Sequence, residues 1–167
     1  MKKHYSFIIA SLLVSLFIYL FYRTDKTLIN EVVIRTISFD NYASLRQAVN
    51  RFLPLNEFVI YSLPEGLWAF CITLTSRPYY IQQKNRRINC QVVPLICCIG
   101  LEIAQLLHVT KGRFDLMDIW ATVIFWFIAT FAFDDKQDKQ NILMPINGRR
   151  MVCFISYGIV YLSHVLE

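Results

Sequence analysis

Six side chains have the type and placement to do chemistry: Glu65, Glu102, Gln105, Arg113, Asp115 and Asp118. Five of them fall within residues 102–118, where two long apolar segments, 91–109 and 115–133, meet. A carboxylate inside an apolar helix is costly and needs a reason to be there. Glu102 and Gln105 are three apart and share one helix face. Asp115 and Asp118 do the same, with Thr122 extending their stripe. Arg113 lies in the turn between the two segments. An acid in such a setting could recognise a ligand, act as a general base or carry a proton, and the planar fork of Arg113 suits a carboxylate or a phosphate.

Each of these residues also has a plain structural role open to it. Asp115 and Asp118 begin a helix, where carboxylates satisfy free N–H groups and complement the helix dipole. Asp118 lies one turn deeper than a cap needs. Glu102 is mid-helix, with no cap role on its own helix, and its structural alternative is a hydrogen bond to Gln105 or to a neighbouring helix. Glu65 could bond backbone loosened by Pro64. Arg113 could neutralise Glu102 or Asp118, or bind a lipid phosphate, and Lys111 suits a headgroup contact. His108 falls opposite Glu102 on the helix wheel. With His4 and His164 as the other histidines, there is no metal-ligand spacing, and no metal or cofactor is expected. The five cysteines, Cys71, Cys90, Cys97, Cys98 and Cys153, contain no Cys-x-x-Cys pair and read as free, mostly buried thiols.

The elements that must position these residues are apolar blocks. Of 167 residues, 56% are hydrophobic and only 17% charged, which is too apolar for an ordinary soluble domain. The expectation is a single domain of the all-α class: a polytopic transmembrane helical bundle with about five membrane helices, near 6–22, 58–76, 91–109, 115–133 and 151–166. Residues 23–57 form a polar loop. Within it, 40–53 reads as one amphipathic helix, with Tyr42, Leu45, Val49 and Phe52 on one face and Arg46, Gln47 and Asn50 on the other. It either lies on the membrane interface or packs on the other helices. Asp40 could cap it, and Pro54 follows it. The sequence Leu63-Pro64-Glu65-Gly66-Leu67-Trp68 predicts a break in the second membrane helix. Residues 77–90 and 134–150 read as polar loops.

The formal charge is +5, but the basic residues flank apolar blocks as they do beside lipid headgroups. That placement argues against nucleic acid as a partner. Lys2 and Lys3, the four basic residues after Ser76 (Arg77, Lys84, Arg86, Arg87) and the four after Phe133 place the N-terminus inside. Arg23, Lys26, Arg35, Arg46 and Arg51 sit in the first outer loop and weaken that contrast. In this topology Glu65 and Glu102 each lie about 10 Å below the outer ends of their helices at 1.5 Å per residue, and Asp115 and Asp118 begin theirs at the outer surface. All four carboxylates then converge on the outer third of the bilayer.

The pattern Glu102-x-x-Gln105 followed by Arg113-Phe114-x-x-x-Asp118, with the acidic Leu63–Trp68 stretch before it, resembles the VanZ-like family of small membrane proteins, named for a teicoplanin-resistance protein. The resemblance covers chiefly residues 58–133. Thr122 and Ile124 depart from the Asn and Gly common in that family. The resemblance implies a cell-envelope role and does not itself supply an activity. The expectation from the polar residues is an integral protein of a bacterial cytoplasmic membrane that binds or shields an outer-leaflet membrane lipid or lipid-linked envelope precursor. An enzyme acting on a lipid headgroup and a small proton-coupled carrier are the other functional classes open to these residues. The bundle could also assemble as a homo-oligomer.

Overall fold

The computed structural model describes residues 2–23, 34, 36, 38–83, 86–110, 113–133, 139–143, 145 and 147–165. Lys26, Arg35, Lys84 and Lys111, invoked above for topology and headgroup contact, lie outside these residues, as do 134–138 and the side chains of Lys2, Lys3, His4, Arg149 and His164.

The described chain is mostly helical. In order it forms α1 (Lys2–Phe21), α2 (Phe39–Phe52), α3 (Glu57–Ser76), strands β1 (Tyr79–Gln83) and β2 (Arg86–Asn89), a 3-10 turn (Cys90–Val92), α4 (Val93–Leu106), α5 (Leu116–Phe131), strand β3 (Gln140–Asn141) and α6 (Gly148–Val165). Among the described residues, one helix, α3, is long and apolar enough to cross a membrane; the apolar stretches Tyr5–Phe21, Cys90–Leu106 and Leu116–Phe131 are shorter.

Helix α3 is the axis of the bundle and packs on α1, α4, α5 and α6. Its start is set by Asn56, whose Oδ1 accepts from the N–H of Val59 at 2.9 Å. The expected break at 63–68 does not occur: the helix runs unbroken through Pro64. Proline has no N–H to bond the carbonyl of Ile60, but Pro64 is fully buried, and packing along the axis outweighs the lost bond. Gly66 serves packing as well. A Cβ there would lie 2.4 Å from Cδ2 of Phe125, so the absent side chain is what lets α5 press its ring onto α3. Phe125 and Phe133 extend this contact with Phe70, Cys71, Leu74 and Ala129.

Residues 77–90 are not a loop throughout. Tyr79, Tyr80, Ile81 and Ile88 are strong strand formers, and β1 and β2 pair antiparallel, with Ile81 opposite Ile88. The short β3 joins parallel on the other side of β1, through Gln140 N–H to Pro78 O at 2.8 Å and Ile142 N–H to Tyr80 O at 3.0 Å. This small sheet closes the end of the bundle where α3 finishes. Beneath it Tyr79, Cys90 and Cys153 form a second buried cluster, and the Ser76 and Tyr157 hydroxyls are 2.9 Å apart.

Helix α4 stops at Leu106 rather than 109. His108 takes φ 58, its N–H bonds Gln105 O at 3.0 Å, and the N–H of Val109 bonds Ala104 O at 2.8 Å. That pair of bonds is a Schellman ending, with histidine where glycine is usual. All five cysteines are free.

The interior mixes apolar side chains such as Ile18, Phe70, Ile72 and Leu74 with small hydroxyl residues, and many large apolar side chains lie on the exterior. Ser11, Ser15, Ser62, Thr73, Thr75, Ser76 and Thr122 are buried, whereas Phe7, Leu13, Ile96, Leu107, Trp120, Phe127 and Phe131 are exposed.

A candidate site at one end of the bundle

The site begins with the end of α1. The last turns of a helix leave carbonyls without intrahelical partners. Here α2 supplies them: the Tyr42 hydroxyl donates to Leu20 O at 2.5 Å, Arg46 Nε to Phe21 O at 3.0 Å, and Arg46 Nη2 to Arg23 O at 2.6 Å. The contact is reciprocal, since the Tyr22 hydroxyl donates to Leu53 O. The face of α2 that docks therefore holds Tyr42 and Arg46, while Leu45 and Phe52, expected to share the apolar face of Tyr42, are exposed, Phe52 at 91%. Asp40 does not cap the helix with its side chain. Ser38 holds the N-cap position at φ 78, and Asp40 lies in the first turn.

With its backbone fixed this way, Arg23 reaches across to α3. Its Nη2 lies 3.6 Å from Glu65 Oε1 and donates to Tyr61 O at 3.1 Å. The guanidinium also sits over the rings of Tyr19 and Tyr61, 4.9 and 5.3 Å from their centroids. Asp118 approaches from α5. It is half-buried, shares a hydrogen bond with the buried Ser62, and lies within electrostatic reach of Glu65, Asp115 and Arg23. Its Oδ1 is shielded from solvent and has no hydrogen-bond partner among the described residues.

Asp115 caps α5, with Oδ1 accepting from Met117 N–H at 2.9 Å. Glu102 is buried at 8% exposure, and its Oε2 accepts from Asp115 N–H at 3.3 Å. In a capping box the acid at the third helical position makes that bond. That position here is Asp118, which faces Ser62 instead. Glu102 thus performs a capping role for the next helix, one not visible from its own.

Four of the six residues singled out by sequence, Glu65, Glu102, Asp115 and Asp118, therefore meet at one end of the bundle. Gln105 is half-buried one turn beyond Glu102 on α4. Arg113 is exposed, and no ion pair of Arg113 with Glu102 or Asp118 is present among the described residues. Among the described residues, the cation in the cluster is Arg23, which sequence reasoning assigned to topology alone. Its signal was available: it is the first charge after the apolar run of α1, four residues beyond Tyr19. No group of three or more His, Cys, Asp or Glu among the described residues is placed to hold a metal ion.

No protein-family profile, curated protein or solved structure matches the chain. The chemistry is read from the cluster itself. Arg23 is engaged by Glu65, Tyr61 and two rings. Asp118 Oδ1 is the acceptor left over, in a place where a ligand's hydroxyl or N–H would complete it.

Proposed function

We propose that this chain is an integral protein of the bacterial cytoplasmic membrane, similar to VanZ-like proteins, and that its polar cluster binds or shields an outer-leaflet lipid or lipid-linked envelope precursor. The membrane part is supported by the distribution of side chains. Small hydroxyl residues such as Ser15, Ser62, Thr73 and Ser76 are buried between the helices, and many large apolar side chains are exposed, which suits helices packed in lipid, where close approach of small residues aids association. In water, Phe7, Leu13, Ile96, Trp120, Phe127 and Phe131 would stand uncovered. In this reading α1, α3, α4, α5 and α6 all span, and α2 lies at the interface with Leu45 and Phe52 directed to lipid.

The binding part rests on one observation, the unpartnered Asp118 Oδ1 beside Arg23 and Glu65. The same oxygen favours a second reading, an enzyme in which Asp118 is general base towards a lipid headgroup. The proton-carrier reading draws no support from Glu102, whose carboxylate is engaged at the head of α5.

A deletion strain separates these readings. Binding or shielding predicts an unchanged membrane-lipid profile and greater teicoplanin sensitivity, restored by the wild-type chain and not by Asp118→Asn. A changed lipid species selects the enzyme. An unchanged profile with unchanged sensitivity overturns both.

A further inference from the structure

The opposite end of the bundle carries a different surface. Strand β2 is the edge of the sheet, whose order is β2-β1-β3, and all four of its residues are exposed. Alternate backbone N–H and C=O groups of an edge strand point away from its neighbour and can pair with another strand. The edge is basic. Arg86 and Arg87 lie on it, and no Asp or Glu occurs in the sequence from Gly66 to Leu101. Arg87 is held over the Tyr80 ring, 5.1 Å from its centroid, which orders its side chain across the sheet face.

We propose that the β2 edge docks an extended acidic segment of another protein by strand addition. Charge complementarity selects this occupant. A second copy pairing edge to edge in antiparallel register would set Arg86 opposite Asn89 and Arg87 opposite Ile88, and would offer neither arginine an acidic partner. A bilayer surface would also attract arginine, but consecutive strand residues point to opposite faces, so a planar headgroup layer meets Arg86 and Arg87 from one face only. A strand lying alongside β2 presents side chains to both faces, and two consecutive acids on it answer both arginines. Main-chain bonds then supply affinity and the acid pair supplies selectivity. The surface is separate from the polar cluster, so its test is independent of the proposed binding role.

The test uses the full chain in neutral detergent and a fluorescent peptide, Thr-Val-Thr-Glu-Glu-Thr-Val-Thr. Three companions are measured beside it: the same peptide N-methylated at alternate residues, its Lys-Lys counterpart, and phosphatidylglycerol vesicles. The acidic peptide binds, the N-methylated one does not, and R86E/R87E weakens binding at least about tenfold while gaining the Lys-Lys peptide. Equal binding of the N-methylated peptide would reduce the contact to charge alone and overturn strand addition. So would an Arg86/Arg87-dependent attraction to phosphatidylglycerol vesicles with no binding of the acidic peptide. Because the N-methylation comparison is made on the wild-type chain, it holds whether or not the charge-reversed variant folds.

Discussion

Glu102, on α4, accepts the backbone N–H of Asp115, the residue that caps α5, at 3.3 Å. A mid-helix acid in one helix thereby completes the start of the next. Between them the chain must turn within a few residues, and the bond ties the two sides of that turn together. It also releases Asp118 from the usual capping duty and leaves it facing Ser62, Glu65 and Arg23.

Two substitutions at Glu102 separate its charge from its acceptor. Glu102→Gln keeps an oxygen for the Asp115 N–H and should melt close to wild type. Glu102→Ala leaves that N–H unsatisfied and should cost about 1 kcal/mol, read as a lowered melting midpoint of the purified chain in detergent. The complementation assay reads the second half: Glu102→Gln, folded but uncharged, should lose the wild-type phenotype if the charge serves the ligand. Full activity of both Glu102→Gln and Asp118→Asn would make the cluster structural.

Arg23 and Glu65 form a partly buried pair, 15% and 16% exposed. A double-mutant cycle with Arg23→Gln and Glu65→Gln should give a coupling of about 1 kcal/mol by equilibrium unfolding. Arg23→Gln alone should be the more damaging single change, because it also removes the bond to Tyr61 O and the contacts with two rings. Additive effects of the two substitutions would show the pair to be uncoupled.

Gly66→Ala tests the packing of α5 on α3. The new methyl would meet the Phe125 ring, itself edge-on to Phe70 at 6.4 Å between centroids, so the ring has little room to retreat. The expected cost is about 1–3 kcal/mol. Phe125→Leu in the same chain should recover part of it, since a smaller side chain opens the space. Thermal melts of the wild type, the single variant and the double variant check both statements, and a neutral Gly66→Ala would contradict the contact.

Topology is checked by a reporter active only outside the membrane. Fused after Thr110 or Glu167 it should work, and fused after Lys84 it should fail, because the proposed topology places Arg77, Arg86 and Arg87 on the inner side. Activity at Lys84 alone would invert the protein and place the polar cluster in the inner leaflet.

What the sequence determined by itself was local. Runs of apolar residues specified α1, α3, α4, α5 and α6 to within a few residues of their ends, because helix formation depends on neighbours three and four positions away. Pro54 just beyond α2 and Asp115 as a cap were legible for the same reason. The heights of Glu65, Glu102, Asp115 and Asp118 along their helices also followed from spacing, since the rise per residue is constant. The tertiary structure decided the partners. Arg23 meets Glu65, while Arg113, offered by the sequence as a partner of Glu102 or Asp118, is exposed, because the pairing depends on how α2 pins the end of α1 against α3, a contact between residues 42 positions apart. Glu102 bonds Asp115, and Pro64 stays within an unbroken helix, because packing on four neighbours outweighs a local preference. The hairpin at 79–89 formed where polarity alone suggested a loop, because Tyr79 and Ile81 find a core beside Cys90, Cys153 and Tyr157 that lies far from them in sequence or on other elements. Helix rotation and the face a neighbour offers are non-local quantities, and no window of residues contains them.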